Sequence, residues 1–313
     1  MLRQNISDSR ISSLLCNVEK VIIGKPEITE LVLTALLAGG HVLIEDVPGV
    51  GKTQLAAAMA VSCGGEFGRI QMTPDIMPSD ITGFSFIRQG SSEVEFRKGA
   101  VFCNFLLADE INRSSPKSQS ALLEAMEELR VTIDGKSYDL PKPFMVLATQ
   151  NPVETYGTYS LPEAQMDRFI MKLNIGYPTE EDELRIIRKG RENDARNLSP
   201  VIEPMDILAL RDEADKVSVS EAVEKYILSI VTASRRNEGI KLGISPRGSI
   251  AMIRCAKAFA YISGRDYVLP DDIKFLAPYV FGHRLMLSPR GKSDWGDGFA
   301  AVKDIVSSVE VPI

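Results

Sequence analysis

The chain is poor in the residues that build metal clusters and covalent staples. It has four cysteines, Cys16, Cys63, Cys103 and Cys255, none in a C-x-x-C pair, and two histidines, His41 and His283. A structural zinc site needs about four such ligands at short spacing, so that class is excluded. A disulfide framework belongs to much shorter secreted chains. Four buried or half-buried thiols in a reducing cytoplasm are expected instead. Long apolar runs are scarce too. The longest, Leu31 to Ile44, is broken by Gly39, Gly40 and His41 and falls short of a bilayer span. The opening MLRQNISDSR lacks the apolar core of a secretory leader. The expectation is a cytoplasmic chain with no transmembrane segment, recruited to a membrane only through a partner. Positive charge is also in deficit. A formal net charge of −6 provides no basic footprint for coating nucleic acid, so no direct nucleic-acid partner is expected.

What is present suits a soluble protein of two units. The 313 residues are 44% apolar, enough for a sizeable core. Residues 8–40 carry helix-spaced apolar positions on either side of a turn at Gly24-Lys25-Pro26. HVLIE then reads as a short buried strand, and KTQLAAAMAVS as a helix. Further strands are expected at Gly68–Met72, Cys103–Glu110, in PFMVLATQNP and in RFIMKLNIGYP. Strands alternating with helices imply a parallel α/β sheet. FSFIR and EVEFR flank Gln89–Ser92 as a hairpin over about 82–98. VTIDGKSYDL forms a second over about 130–142, turning at Asp134-Gly135. Ser115 and Pro116 open the helix after the Cys103 strand as N-cap and first residue. Beyond residue 178 only helical patterns follow. The chain is therefore divided into an α/β core, 1–177, and a helical unit, 178–313.

Five features carry chemistry. DVPGVGKTQL ends like a phosphate-binding loop. Gly49 and Gly51 can adopt conformations closed to other residues, which turns backbone N–H groups toward phosphate oxygens. Lys52 can reach the β- and γ-phosphates and the Thr53 hydroxyl can ligate Mg²⁺. The whole cradle is assigned to Pro48, Gly49, Val50, Gly51, Lys52, Thr53 and Gln54. Asp46 stands where the general pattern has glycine, and an inward carboxylate beside polyphosphate would be costly. FLLADE ends a strand in Asp109 and Glu110, one acid for Mg²⁺ and one to activate water. Asn151 ends another strand, where its amide can orient the attacking water. Arg168, in PEAQMDRF, offers a guanidinium fork to developing phosphate charge and is placed to face a neighbouring subunit's nucleotide. Arg247, in the first turn after Ser245-Pro246, is placed to reach across to the γ-phosphate. Each feature has a plain alternative: a glycine turn, solvated acids, an Asn-Pro turn, an Asp167–Arg168 surface pair, an exposed helix-start arginine.

Taken together these segments resemble the MoxR family of AAA+ ATPases nearly end to end. VIIGKPE resembles its adenine-side loop, GHVLIEDVPGVGKTQLA its Walker A region and FLLADEINRS its Walker B. VLATQNPVE resembles its sensor 1, LPEAQMDRF its arginine-finger segment, GISPRGS its sensor 2 and YVLPDDI its lid. The EDVPG stretch also occurs in MoxR-type loops, which makes Asp46 a family variant. The resemblance implies an AAA+ core with a helical lid, and ATP and Mg²⁺ as cofactors. Ile23 and Gly24 would lie on the adenine side. Lys52, Thr53, Asp109, Glu110 and Asn151 would act within one subunit, and Arg168 from its neighbour. Arg247 would couple the lid to the nucleotide. The resemblance further implies a homo-oligomeric ring, usually hexameric, acting as a chaperone on a protein client. It also implies a partner carrying a von Willebrand factor A domain. A magnesium-chelatase-like motor subunit and a nucleic-acid remodeler share the same parts and stand as alternatives.

Overall fold

The apolar run after His41 forms an inner strand of the main sheet. The computed structural model describes residues 8–47, 49–88, 94–151, 159–190 and 194–311. Helices α1 (Ser9–Glu19) and α2 (Pro26–Leu37) precede β1 (Val42–Glu45), which leads through the glycine loop into α3 (Lys52–Ser62). Then follow β2 (Phe67–Gln71), α4 (Pro78–Thr82), β3 (Gly83–Ile87), β4 (Val94–Lys98), β5 (Phe105–Asp109) and α5 (Pro116–Glu128). The core continues with β6 (Arg130–Ile133), β7 (Lys136–Asp139), β8 (Met145–Gln150), α6 (Glu163–Met166) and β9 (Met171–Leu173). β2, β5, β8, β1 and β9 form one sheet in that order, and every pairing is parallel.

Both faces of this sheet are covered, so the inner strands β5, β8 and β1 read as mostly apolar runs. Val42, Ile44, Phe105, Leu107, Met145 and Leu147 pack into one layer. Their alternates Leu43, Leu106, Ala108, Val146 and Ala148 pack into the other. The two hairpins lie outside the sheet: β3 pairs with β4 and β6 with β7, both antiparallel. The turn of the second is Asp134-Gly135, both with positive φ, as the sequence expects. The turn of the first, Gln89–Ser92, lies outside the described residues. Ser115 caps α5, its hydroxyl accepting from the Ser118 N–H at 3.3 Å, with Pro116 in the first turn.

The C-terminal part comprises α7 (Glu180–Lys189), α8 (Pro204–Ala214), α9 (Glu221–Arg236), α10 (Pro246–Ile262), α11 (Pro270–Phe281), α12 (Pro289–Trp295) and α13 (Gly298–Ser308). The expectation of helices alone is corrected by a small antiparallel pair, β10 (Ile240–Leu242) with β11 (Met286–Leu287). Strands this short leave no period to read. The thiol expectation is corrected at one position: Cys16 is exposed, while Cys63, Cys103 and Cys255 are buried. Among the described residues no helix is long and apolar enough to cross a membrane.

His41 ties the entry of β1 to its neighbours. Its Nδ1 accepts from the Val146 N–H at 3.0 Å, so Nε2 carries the proton and donates to the Met126 carbonyl at 2.9 Å. Burial pushes its pKa down to about 4, with Arg211 and Arg254 adding repulsion. The unfolded imidazole takes its proton near 6.5, so this contribution is complete above that pH. It is lost as pH falls from 6.5 to about 4, at about 1.4 kcal/mol per pH unit. Buried His283 acts in the same direction. Denaturant unfolding should therefore show lower stability at pH 5 than at pH 7, with the His41 ring still neutral at pH 5.5 by NMR. A His41 signal titrating near 6.5 would contradict this.

Candidate functional site

The carboxyl edge of the sheet gathers three loops. After β1, Gly49 and Gly51 take φ of 89° and 92°. Nothing lies within 4 Å of where a Cβ would stand at either, so left-handed backbone, not crowding, calls for glycine there. Gly51 is the N-cap of α3 and has no side chain to accept from the first N–H groups, which leaves them for an anion. The Lys52 Nζ donates to the Asp46 carbonyl at 2.8 Å and so folds back over the loop. Pro48 lies outside the described residues. Val50 and Thr53 are half-buried in the loop and the first turn of α3.

The Asp46 carboxylate turns away from the cradle. Oδ2 accepts from the Gly176 N–H at 2.6 Å and Oδ1 from the Val47 N–H at 2.8 Å, and the residue is buried. It braces the loop against the segment that leads out of the sheet. Gly24, with φ of 74°, packs against the same region: a side chain there would overlap the Asp182 carboxylate. Ile23 beside it is buried. The Gln54 side chain accepts from the Ala195 N–H at 2.9 Å, tying α3 to the chain beyond α7.

The acid pair ends β5 at the same edge of the sheet, with β8 between β5 and β1. The Asp109 Oδ1 accepts from the Thr149 hydroxyl at 2.6 Å, and Oδ2 pairs with Arg69 at 2.8 Å. Glu110 has φ of 58°, and its N–H donates to the Thr149 hydroxyl at 2.8 Å. The Glu110 Oε2 accepts from Gln71 at 2.7 Å and from Arg113 at 2.9 Å. Arg69 and Gln71 stand two apart on β2, with Gln71 in register with Asp109, so one face of the edge strand holds both acids. Asn151, buried, follows β8 at the same sheet edge. Thr149, Arg69, Gln71 and Arg113 were not legible as site residues. The one signal was a hydroxyl among apolar neighbours in VLATQ.

The two remaining arginines lie at the opposite, amino edge. The Glu127 Oε2 pairs with the Arg168 Nε at 2.8 Å, and Oε1 accepts from Arg247 at 3.2 Å. Both arginines line a cavity of about 250 Å³ with Gly39, Gly40 and His41, which precede β1. Within its own subunit Arg247 thus lies with Glu127, away from the phosphate loop. The four residues of β1 separate it from the phosphate loop, roughly 13 Å at the usual strand rise. Nor do Asp167 and Arg168 pair: Asp167 accepts from Arg284 at 2.6 Å and from Ser245 at 3.2 Å.

A phosphate loop after β1, an acid pair at the end of β5 and a helical unit beyond the sheet define a P-loop nucleotide-binding protein with a lid. The profile of the ATPase family associated with various cellular activities (AAA) matches residues 41–171, and that of the AAA lid domain matches residues 232–305. The chain is 41% identical to Chaperone MoxR1 of Mycobacterium tuberculosis, over 94% of this chain and 80% of that one. It is 49% identical to the uncharacterized protein YeaC of Bacillus subtilis, over 95% and 93%. The solved structure of a candidate ATPase from Cytophaga hutchinsonii superposes with a TM-score of 0.89 at 40% identity, over 97% and 95%. The chain belongs to the MoxR family of AAA+ ATPases.

Proposed function

We propose that the chain hydrolyses ATP at sites shared between neighbouring subunits of a ring, hexameric on the family resemblance, and uses the cycle to remodel a client protein. The observation that carries this reading is the division of the chemistry between two edges of one sheet. Cradle and acids stand at the carboxyl edge, while Arg168 and Arg247 stand at the amino edge. One subunit holds the phosphates and its neighbour supplies the cations. Within a subunit the loop N–H groups and Lys52 bind the β- and γ-phosphates. Asn151 orients the attacking water and Glu110 takes its proton as the new P–O bond forms and the bond to ADP breaks. Thr53 and Asp109 would hold the Mg²⁺, which supplies positive charge to the phosphate oxygens when bound. The donor types suit a hard cation, one hydroxyl and one carboxylate, and Asp109 would exchange its Arg69 pair for it. Ile23 and Gly24 are assigned to the adenine side.

A remodelling role draws support from the relative named as a chaperone and from the β3–β4 hairpin. That hairpin leaves Phe84, Phe86, Ile87 and Val94 exposed, an apolar surface suited to an unfolded segment. A partner with a von Willebrand factor A domain, and a cytoplasmic location, belong to the same reading. The test is phosphate release from Mg-ATP by the assembled protein. Lys52→Ala should lower it at least about 100-fold through loss of phosphate binding, and added DNA should leave it unchanged. An assembled wild type that releases no phosphate would reduce the protein to a nucleotide-gated scaffold. Strong stimulation by DNA would transfer the role to nucleic acid.

A further inference from the structure

Glu127 stands where a helix least favours an acid. It occupies the last turn of α5, followed by Glu128, and α5 has no basic residue in that turn. The partial negative charge of a helix C-terminus makes carboxylates there unfavourable. Local structure therefore gives no reason for Glu127, and its partners lie far off in sequence. It pairs with Arg168 of the core through one oxygen and with Arg247 of the lid through the other, at 2.8 and 3.2 Å.

The surroundings make the pair of arginines a single unit. Arg284, buried, donates to Asp167 at 2.6 Å and to the Phe169 carbonyl at 2.8 Å, on either side of Arg168. Asp167 also accepts from Ser245, the N-cap of the helix that bears Arg247. The backbones of the two arginines are thus fastened to each other. Their side chains would still repel without a shared anion. Arg168 gives Glu127 its Nε, and among the described residues it has no other partner, so its terminal N–H groups remain for an oxyanion. Arg168, Arg247 and Glu127 are 28%, 47% and 37% exposed, within reach of a neighbouring molecule. Glu124 and Glu128 also face Arg168, but Glu128 pairs with Arg130 at 3.6 Å, Arg254 lines the cavity beside Arg247, and Asp167 is taken by Arg284, so the group keeps a positive balance. The assembled group suits a phosphate dianion, which can take a hydrogen bond from each arm.

We propose that Glu127 is a positioning residue that holds Arg168 and Arg247 as one two-armed cation and presents it to the terminal phosphate bound by a neighbouring subunit. The proposal rests on the shared-site reading above. It assigns the link between core and lid to a carboxylate that touches no nucleotide itself.

The test measures ATPase kinetics of assembled Glu127→Gln protein. Its kcat should fall about tenfold with the KM for ATP within twofold, because its own phosphate loop is intact. Glu127→Asp, too short to reach both arginines, should lose part of kcat in the same way. In an Arg168→Ala, Arg247→Ala background, Glu127→Gln should cost nothing further. Mixing Glu127→Gln with Lys52→Ala subunits should restore activity, since the second kind supplies an intact arginine pair to the first kind's nucleotide. A Glu127→Gln enzyme as fast as wild type or faster overturns the proposal, as does an undiminished effect in the arginine-free background. Arg168→Ala mixed with Lys52→Ala serves as control. If the control recovers and Glu127→Gln does not, only the role of Glu127 falls. If the control fails in mixed rings shown to form, the shared site falls and this proposal with it.

Discussion

Glu110→Gln should bind ATP normally and release almost no phosphate. Removing a general base costs about 10²- to 10⁴-fold, and amide for carboxylate changes little else. The Glu110 backbone is held in the left-handed region by its N–H bond to Thr149, which the substitution leaves intact. The phosphate loop and Lys52 lie on another strand and keep their geometry. The one local penalty falls at Arg113, which pairs with the Glu110 carboxylate and would face a neutral amide. Binding of a fluorescent ATP analogue should thus stay within a few-fold of wild type while phosphate release collapses. Hydrolysis at the wild-type rate would remove Glu110 from the role of base.

Arg168→Ala should be the second severe loss, by about 10³-fold, the scale at which an arginine supplied to a phosphoryl transition state acts. Its distinguishing mark is where the defect lies. Arg168 sits at the amino edge of its own sheet, so its removal leaves its own subunit's cradle whole and ATP binding unchanged. Mixed with Lys52→Ala subunits, which bind no ATP yet retain Arg168, the variant should regain a fraction of activity set by how often the two kinds adjoin. Mixed rings that form and recover nothing at any ratio would count against a shared site.

The parts of the fold written in local chemistry were open to reading from the sequence. The phosphate loop, the strand ends at Asp109 and Glu110, the Asp134-Gly135 turn and the Ser115 cap each depend on neighbours in sequence, and each stands where expected. What depends on distant pairs was closed. Nothing in GRIQM says that Arg69 and Gln71 will hold the acids of another strand. That follows from the β2–β5 register. Nothing in GISPRGS says whether Arg247 meets its own nucleotide or turns toward Glu127, since the packing of the lid decides it. Asp46 shows the same limit from the other side. Its identity flagged a departure from the usual loop, and only its bond to Gly176 reveals a brace in place of an intruder.

The separation of acids and arginines onto opposite edges of a parallel sheet constrains symmetry. A two-fold contact centred on one edge sets cradle against cradle or arginine against arginine. A contact that repeats head to tail from one edge to the other is heterologous, and such contacts either close into a cycle or run on as a filament. Each subunit then carries two half-sites and no whole one. Catalytic rate per subunit would rise with protein concentration, and an open chain of n subunits would always own one site fewer than its subunits.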